Sequence, residues 1–574
     1  MQNHIARSFD VNRLNLFYSL VLMIFLVFIA RLFYIQVIQH DFYRQAALSG
    51  QYREYEVPAQ RGMILAHDDD ITVPIVLNED KFTLFADPKF IEDPKEVAKT
   101  LTAISGGSAA EYEAKMRETT RYAVLAKKLG ESVKQKIEQL GIKGIGLRTE
   151  SVRTYPQGGL AGQLLGFVND EGQGNYGVEQ ALNDDLKGTP GQLKAITDVN
   201  GVPLAANGDN VRQEPQNGRD ITLTIDIGMQ KKLENILKQH IPYVGSKSGS
   251  AIIMDPYTGA IKAMANYPSY NPAEFFKVKD ASLFTNPAVS SPLEVGSIMK
   301  TLTVAAGLNE KVIGANTTYY DPARWDIDGS TIKNVEEDGG AATRSIADIL
   351  QYSLNTGAVY VLMQLGGGQV NDQARNTWND YLVNHYHFGQ KTGIEQGYEA
   401  DGYVPDPNDG YGLNLQYANT AFGQGISITP LQFASAFSST INGGTYYKPH
   451  LVEPSDGKAE VVNDSVISPD VSKQMRVYHE NSVAKNYTFL IRDGYRVGGK
   501  TGTAEIPAPG GGYYEDKFNG TFVGYIGGKR PQYVIMVRVN EPHVAGYAGT
   551  AAAGTMFGKI TDMLINNFSV ALAP

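Results

Sequence analysis

GSAIIMDPYTGAIKAMANY, residues 249–267, consists of two runs of small and apolar residues separated by a turn sequence. The central letters DPYTG supply the Pro and Gly that tight turns favour, so we predict a β-hairpin. Just upstream, ITLTID (221–226) alternates as a strand does. It is followed by GMQKKLENILKQHI (228–241), which is predicted to be an amphipathic helix. A strand, a helix and a hairpin therefore open this part of the chain.

Two more strand-like segments lie close to the C-terminus, at 518–528 (FNGTFVGYIGG) and 532–542 (QYVIMVRVNEP). A closing helix is predicted over AAAGTMFGKITDMLINNF, residues 551–568. Strands at both ends of a helical middle imply one antiparallel sheet that is built from distant segments and flanked by helices, an α+β fold. We predict that this domain occupies residues 219–574.

Residues 39–218 show a mixed pattern and are predicted to form a separate, elongated α/β domain, here called the pedestal. Within it we predict a helix over SAAEYEAKMRETTRYAVLAKKL, residues 108–129. The domain boundary is placed at AANGDNVRQEPQNGRD (205–220), because this segment is polar, contains Gly and Pro, and lacks apolar periodicity.

An uncharged apolar run, LNLFYSLVLMIFLVFIA, covers residues 14–30, and the apolar character continues to Ile38. The segment 14–38 has about 25 residues, enough to cross a bilayer as a helix. A cleaved signal peptide and a buried helix of a soluble domain are the alternatives. The residues after Ala30 are large and form no small-x-small cleavage site, which favours a retained single-pass anchor. Charge leaves the orientation open, and we place residues 1–13 in the cytoplasm because one large exported region follows the anchor.

The composition excludes several kinds of site. The 574 residues include no cysteine, so disulfides, thiolate zinc sites, iron–sulfur clusters and cysteine nucleophiles are ruled out. The formal net charge of -10 argues against a broad nucleic-acid-binding surface. We predict that the protein uses no metal and no cofactor.

Three short polar patterns follow one another along the predicted α+β domain: Ser-x-x-Lys, Ser-x-Asn and Lys-Thr-Gly. Together they provide hydroxyls, two amines and an amide, and no sequence neighbour supplies a histidine base. The residues concerned are Ser297, Lys300, Ser353, Asn355, Lys500, Thr501, Gly502 and the adjacent Thr503.

Each pattern alone is a weak signal, because copies occur elsewhere in the chain. Ser297 is favoured since it follows Gly296 and opens an apolar helix, where free backbone N–H groups create a positive field. Lys300 then lies on the same helical face. Taken singly, these residues also fit a helix cap, a solvated lysine and an edge-strand turn. The competing copies begin at Ser330, Ser455 and Ser482 for Ser-x-x-Lys, at Ser269 for Ser-x-Asn, and at Lys391 for Lys-Thr-Gly.

The ordered triple resembles the signature of penicillin-binding proteins and serine β-lactamases. Over nearly its whole length the chain resembles the class B penicillin-binding proteins, which are monofunctional peptidoglycan D,D-transpeptidases of cell division and elongation. The matching stretches are RLFYIQVIQHDFYRQA (31–46), GFVNDEGQGNYGVEQ (166–180), IIMDPYTGAIKAMANYPSYNPAEF (252–275) and AFGQGISITPLQFASAFSSTINGGTYYKPHLV (421–452).

The chain departs from this family's pattern at two places. Glu294-Val295-Gly296 stands before the nucleophile where Glu-Pro-Gly is commoner. HDDD (67–70) replaces the usual Asp-Arg-Asn-Gly after Arg61-Gly62. We expect the first to matter little to the chemistry, and the second to affect contacts of the pedestal with partners.

The resemblance implies a role for each motif residue. Ser297 is expected to attack a D-Ala-D-Ala stem peptide, with backbone N–H groups of Ser297 and Thr503 holding the oxyanion. Lys300 is the expected base and must be neutral. Because a free lysine has a pKa of roughly 10.4, burial and the nearby Lys500 cation have to lower it. Ser353 is expected to relay the proton, and Asn355 to orient the substrate amide and Lys300. The substrate carboxylate is assigned to Lys500, Thr501 and Thr503, on the strand that contains Gly502.

The resemblance also implies partners and a location. The expected ligands are peptidoglycan stem peptides and β-lactam antibiotics, and the expected partner is a membrane-embedded glycosyltransferase. The location is the cytoplasmic membrane, with the catalytic domain outside, and a division role is favoured over elongation. The alternatives are a β-lactamase, a β-lactam sensor and an inactive scaffold of the division complex. A β-lactamase would need a Glu-x-x-x-Asn loop, which this sequence lacks. A β-lactam sensor would need a cytoplasmic protease domain or more membrane spans. The intact set of three motifs argues against an inactive scaffold.

Overall fold

A computed structural model describes residues 6–43, 52–196, 211–334, 340–508 and 510–574. The chain divides into two units, one formed by residues 1–60 with 188–218 and the other by 61–187 with 219–574. Residues 205–210 of the predicted boundary segment lie outside the described residues.

The strands are named in chain order. They are β1 Tyr52–Val57, β2 Ile64–Asp68, β3 Ile71–Ala86, β4 Ala123–Leu129, β5 Ile145–Thr154, β6 Phe167–Val168, β7 Gly174–Asn175, β8 Gly191–Ile196, β9 Val211–Gln213, β10 Ile221–Asp226, β11 Ser248–Met254, β12 Ile261–Tyr267, β13 Thr318–Asp321, β14 Arg324–Ile327, β15 Ser330–Lys333, β16 Ala342–Ser345, β17 Tyr446–Tyr447, β18 Val461–Asn463, β19 Arg496–Pro507, β20 Tyr513–Gly527 and β21 Pro531–Asn540.

The α-helices are named in the same way. They are α1 Ala6–Phe33, α2 Pro94–Ser105, α3 Ala109–Met116, α4 Glu131–Leu140, α5 Gly162–Leu165, α6 Gly177–Ala181, α7 Asn183–Lys187, α8 Ile227–Tyr243, α9 Pro287–Ser290, α10 Lys300–Asn309, α11 Ile346–Gln351, α12 Asn355–Leu365, α13 Asp372–Asp380, α14 Leu413–Thr420, α15 Pro430–Ile441, α16 Pro469–Asn486 and α17 Thr555–Asn567.

The first unit contains α1 and a small antiparallel sheet. The helical segment Arg13–Ile38 is 26 residues long, apolar, and exposed along its length. An apolar helix that is exposed along its length fits a membrane anchor. The sheet has the order β1-β8-β9.

The second unit begins with a sheet of order β10-β2-β3-β4, in which β5 also pairs with β3. The predicted helix over 108–129 is wrong in its second half. It ends as α3 at Met116, and β4 follows and pairs antiparallel with β3. In β4 the side chains of Ala123 and Leu125 are buried while Val124 is only half-buried, a period of two that belongs to a strand. Two β-branched threonines, at 119 and 120, lie between α3 and β4, and their low helix propensity disfavours a continuous helix there.

The main sheet has the order β12-β11-β21-β20-β19 and is antiparallel throughout. The predicted hairpin at 249–267 and the C-terminal strand pair are therefore confirmed. Adjacent residues of β11 face opposite sides. Ile252 packs in one core with α10 and α15, and Ile253 packs in another with α8 and α17. The α+β fold, an antiparallel sheet with helices on both faces, is confirmed.

Three segments meet at β19, which is an edge strand of this sheet. A 3₁₀ turn at Gly296–Met299 leads directly into α10, so the predicted helix after Ser297 is confirmed. Ser353 lies in the turn between α11 and α12. The fold thus brings all three motifs to one edge.

Candidate active site

Ser297 and Lys300 lie one helical turn apart and face each other. The Lys300 Nζ atom donates to Ser297 Oγ at 2.8 Å. Lys300 is fully buried at the start of α10, which is unusual for a lysine. The expectation that the two side chains share one face is met.

Ser353 joins the two lysines of the site. Lys300 Nζ donates to its hydroxyl at 3.1 Å and also to its backbone carbonyl, and Lys500 Nζ donates to the same hydroxyl at 3.0 Å. A serine hydroxyl has two acceptor lone pairs and one proton to donate. With both lone pairs used by lysine amines, the Ser353 proton is left to be given to a third group.

Lys500, like Lys300, is fully buried, and its amine also donates to the Thr501 carbonyl at 3.0 Å. The Thr501 hydroxyl shares a 2.7 Å hydrogen bond with the hydroxyl of Tyr487. The Thr503 hydroxyl accepts from the Gly549 N–H at 3.1 Å. Tyr487 was not predicted, since it follows α16 and reaches the motif only through the packing of that helix on β19.

Asn355 begins α12, and its side-chain amide donates to the carbonyl of Lys333 at 3.0 Å. Lys333 ends β15, so this contact ties the Ser-x-Asn turn to the β14–β15 hairpin. This contact fixes the side-chain amide of Asn355 two residues after Ser353.

A second glycine-rich segment supports the turn that carries Ser297. The N–H of Gly296 donates to the Gly423 carbonyl at 3.1 Å. A Cβ on Gly423 would lie 2.1 Å from the Gly296 carbonyl oxygen, so no side chain fits there. The Gly-Gln-Gly stretch thus sets the position of the turn through backbone contact.

Glu294 connects three segments near this turn. Its Oε1 atom accepts from the Gly425 N–H at 3.0 Å and from the Tyr513 hydroxyl at 3.1 Å. Burial raises the pKa of the Glu294 carboxyl above its usual value. Glu294, the residue before Val295, therefore ties the segment that precedes Ser297 to the Gly-Gln-Gly stretch and to β20.

His479 lies behind Lys500 on α16. It is fully buried, with its ring centroid 5.1 Å from that of Phe437. Burial, followed by the positive charge of Lys500, lowers the pKa of His479 to about 3. The imidazole is therefore neutral at physiological pH, and no motif in the sequence pointed to it.

The structure accounts for two of the competing motif copies. The backbone N–H groups of Thr392 and Gly393 donate to the carboxylate of Glu399, at 2.7 and 3.1 Å, which explains that second Lys-Thr-Gly as a loop structure. Ser482 is buried within α16 and does not begin a helix. Both differ from the local settings that selected Ser297 and Lys500.

Two family models match the chain in the order that the motifs predict. The penicillin-binding protein dimerisation domain matches residues 56–223, and the penicillin binding protein transpeptidase domain matches residues 249–562. The second match covers more than half of the chain. The chain belongs to the penicillin-binding protein transpeptidases.

Relatives of this penicillin-binding protein match it over most of their length. It is 30% identical over 557 residues to stage V sporulation protein D of Bacillus subtilis, covering 94% of this chain and 84% of that protein. It is 26% identical over 570 residues to the peptidoglycan D,D-transpeptidase FtsI of Escherichia coli, covering 97% and 92%. The crystal structure of penicillin binding protein 2X from Streptococcus thermophilus has the same fold, with a TM-score of 0.72 at 22% identity, covering 90% and 81%.

These matches confirm the predicted class B penicillin-binding protein family and the predicted transpeptidase activity. They agree with the observed α+β fold, in which a dimerisation domain precedes the transpeptidase domain.

Proposed function

We propose that this penicillin-binding protein cross-links peptidoglycan stem peptides through an acyl-enzyme on Ser297. The observation that supports this most is the chain of contacts Ser297–Lys300–Ser353–Lys500, in which each polar hydrogen bond is between 2.8 and 3.1 Å. A hydroxyl, an amine and a second hydroxyl in mutual contact are what a nucleophile, its base and a proton relay require.

In the first step the Ser297 oxygen attacks the carbonyl carbon of the penultimate D-Ala, and its proton passes to Lys300. The peptide C–N bond then breaks, and the terminal D-Ala leaves after its nitrogen takes a proton through Ser353. Lys300 has to start as a neutral amine, so in the reactive state the 2.8 Å contact runs from the Ser297 O–H to the lone pair of Lys300 Nζ, and the two amine protons are left for Ser353. Its burial and the second lysine nearby both oppose a charge on it.

In the second step the amine of another stem peptide attacks the ester carbon. A new amide bond forms, the bond to the Ser297 oxygen breaks, and a proton of the amine returns to that oxygen through Lys300. The energy of the broken D-Ala-D-Ala bond is retained in the ester. The reaction therefore needs no nucleotide and suits the outer side of the membrane.

The remaining motif residues are proposed to bind the donor peptide. Lys500, Thr501 and Thr503 bind its terminal carboxylate along β19, where Gly502 lets the strand approach the segment that carries Ser297. Asn355 orients the substrate amide. The oxyanion of the tetrahedral intermediate is held by the backbone N–H groups of Ser297 and Thr503. A β-lactam acylates Ser297 in the same way.

We assign residues 14–38 as a single-pass anchor in the cytoplasmic membrane, with the transpeptidase domain outside. The apolar, exposed helix supports this placement. A membrane-embedded glycosyltransferase that supplies glycan strands is the proposed partner. We propose a role in division rather than elongation, which the resemblance to class B penicillin-binding proteins favours.

The substrate assignment is tested with the full-length chain in detergent, a synthetic stem pentapeptide ending in D-Ala-D-Ala as donor, and a D-amino acid as acceptor. We expect one D-Ala released for each new amide bond, with both products abolished by benzylpenicillin and by Ser297→Ala. Exchange that continues in the Ser297→Ala variant would contradict the proposal.

A further inference from the structure

Two polar side chains hold the segment that precedes Ser297, and neither belongs to a motif. The Thr521 hydroxyl on β20 donates to the Val295 carbonyl at 3.0 Å. The Arg538 guanidinium on β21 donates through Nη1 to the Ser291 carbonyl at 2.7 Å. Thr521 and Arg538 are direct partners in the β20–β21 register, so they act on this segment from neighbouring strands.

Arg538 is not explained by ion pairing. Among the residues that the structure describes, no carboxylate lies within salt-bridge distance of it, and its Nε donates to the Asn540 side chain at 2.6 Å. Burial lowers its pKa to about 10, so it still carries a charge at neutral pH. A largely buried cation that binds neutral acceptors forms charge-assisted hydrogen bonds, which are roughly twice as strong as neutral ones. The contact with Ser291 is therefore a strong tether.

Thr521 lies where β19 and the nucleophile segment come closest. A Cβ on Gly502 would lie 2.3 Å from the Thr521 hydroxyl and 2.6 Å from the Val295 carbonyl oxygen. A Cβ on Gly296 would lie 2.9 Å from the Thr503 carbonyl oxygen. The two backbones thus approach through glycines, and Thr521, which pairs with Gly502 in the β19–β20 register, extends its hydroxyl to the Val295 carbonyl.

We infer that Thr521 and Arg538 are positioning residues that fix the distance between the nucleophile turn and β19. That distance sets the spacing of the Ser297 and Thr503 N–H groups. Donors in an oxyanion hole act only when they lie about 2.7–3.1 Å from the developing charge, so a small change of spacing lowers the rate. The inference rests on the proposed function, in which these two groups hold the oxyanion.

Thr521 allows a closely matched test. Thr521→Val keeps the shape and removes the hydroxyl, whereas Thr521→Ser keeps the hydroxyl. Thr561→Val is the control, because Thr561 is equally buried and its hydroxyl donates only within α17, to the Phe557 carbonyl at 3.0 Å. The full-length proteins are compared by the second-order rate constant of acylation with a fluorescent penicillin, counted per folded molecule.

We expect Thr521→Val to slow acylation by about tenfold to a hundredfold, as small misplacements of catalytic groups do. Thr521→Ser and Thr561→Val should stay within about twofold of the unmodified protein. Arg538→Met should slow acylation in the same direction as Thr521→Val. A boronic acid that forms a tetrahedral adduct with the nucleophile should lose affinity for Thr521→Val by a similar factor, since its oxygen occupies the oxyanion position.

A lower melting temperature of Thr521→Val with unchanged acylation and boronate affinity would overturn the inference and leave a purely structural contact. An unchanged acylation rate in Arg538→Met would show that Arg538 is not a positioning residue. The proposed function fails in a different way, since the unmodified protein would then form no adduct at Ser297.

Discussion

The hydroxyl of Ser353 is the point at which the two lysines of the site meet, and its backbone is held in a left-handed conformation, with φ of 57°. A non-glycine residue in this region costs about 1–2 kcal/mol. The turn aims the hydroxyl at both amines. Strain is therefore located at a residue that the proposed chemistry needs.

Two substitutions of Ser353 distinguish the effect of losing its hydroxyl from the effect of its strained backbone. Ser353→Ala and Ser353→Gly both remove the proton relay, so both should acylate with penicillin at least about a hundredfold more slowly, the lower limit for general acid–base groups. Because glycine adopts positive φ freely, the glycine variant should be more stable than the alanine variant by up to about 1 kcal/mol in chemical unfolding. Equal acylation rates for either variant and the unmodified protein would exclude a relay at Ser353.

His479 should make the protein less stable in mild acid. Its folded pKa is about 3 and its ordinary value is 6.5, so the unfolded chain binds a proton that the folded protein excludes between these values. The contribution of the neutral His479 side chain to the free energy of unfolding is complete above pH 6.5 and is lost as the pH falls towards 3. At pH 5 the loss amounts to about 2 kcal/mol.

The His479→Leu variant removes this contribution. Its free energy of unfolding, followed by tryptophan fluorescence in denaturant, should fall less between pH 7 and pH 5 than that of the unmodified protein. Parallel pH dependence of the two proteins would show that His479 is already protonated or that it remains accessible to water.

At the scale of elements, the turn that carries Ser297 is held by a loop and a strand that come from distant parts of the chain. Gly423 and its neighbour Gly425 make a matched pair for a test, because both have positive φ, 87° at Gly423 and 68° at Gly425. A Cβ added to Gly425 would lie 3.9 Å from the nearest atom and would meet no obstacle. Alanine strains the backbone at both positions, yet only at 423 does it collide with Gly296.

We therefore expect Gly423→Ala to slow acylation by more than about tenfold and Gly425→Ala to change it much less. Thermal melting is measured for both, so that the common backbone penalty of about 1 kcal/mol is seen separately. Similar acylation rates for the two variants would show that contact with Gly296 does not position the turn.

The same scale shows what the sequence alone can predict. The hairpin at 249–267 and the C-terminal strand pair were predictable, because their residues alternate and their turns contain Pro and Gly. The local pattern of Ala123–Leu129 predicts helix, but this segment is a strand because its pairing with β3 is a tertiary contact that outweighs local preference. Ser297, Lys300, Ser353 and Lys500 were found by order and local context. Tyr487, His479, Thr521 and Arg538 reach the site only through packing, so no local pattern marks them.

At the scale of the whole molecule, the absence of cysteine from the sequence allows the orientation in the membrane to be measured directly. A single cysteine at Tyr411, which is fully exposed, should react with a membrane-impermeant maleimide added to intact spheroplasts. A cysteine at Asn3 should react only after the membrane is permeabilised. The reverse pattern would contradict a cytoplasmic N-terminus and an external transpeptidase domain.

The convergence of distant segments on one nucleophile is tested most directly by mapping the covalent adduct. The full-length protein is treated with a β-lactam, digested, and analysed by mass spectrometry. We predict a single acylated peptide with the modification at Ser297, absent from Ser297→Ala and formed much more slowly in Lys300→Ala. Acylation at another serine, or an adduct of normal yield and rate in Lys300→Ala, would contradict the proposed site.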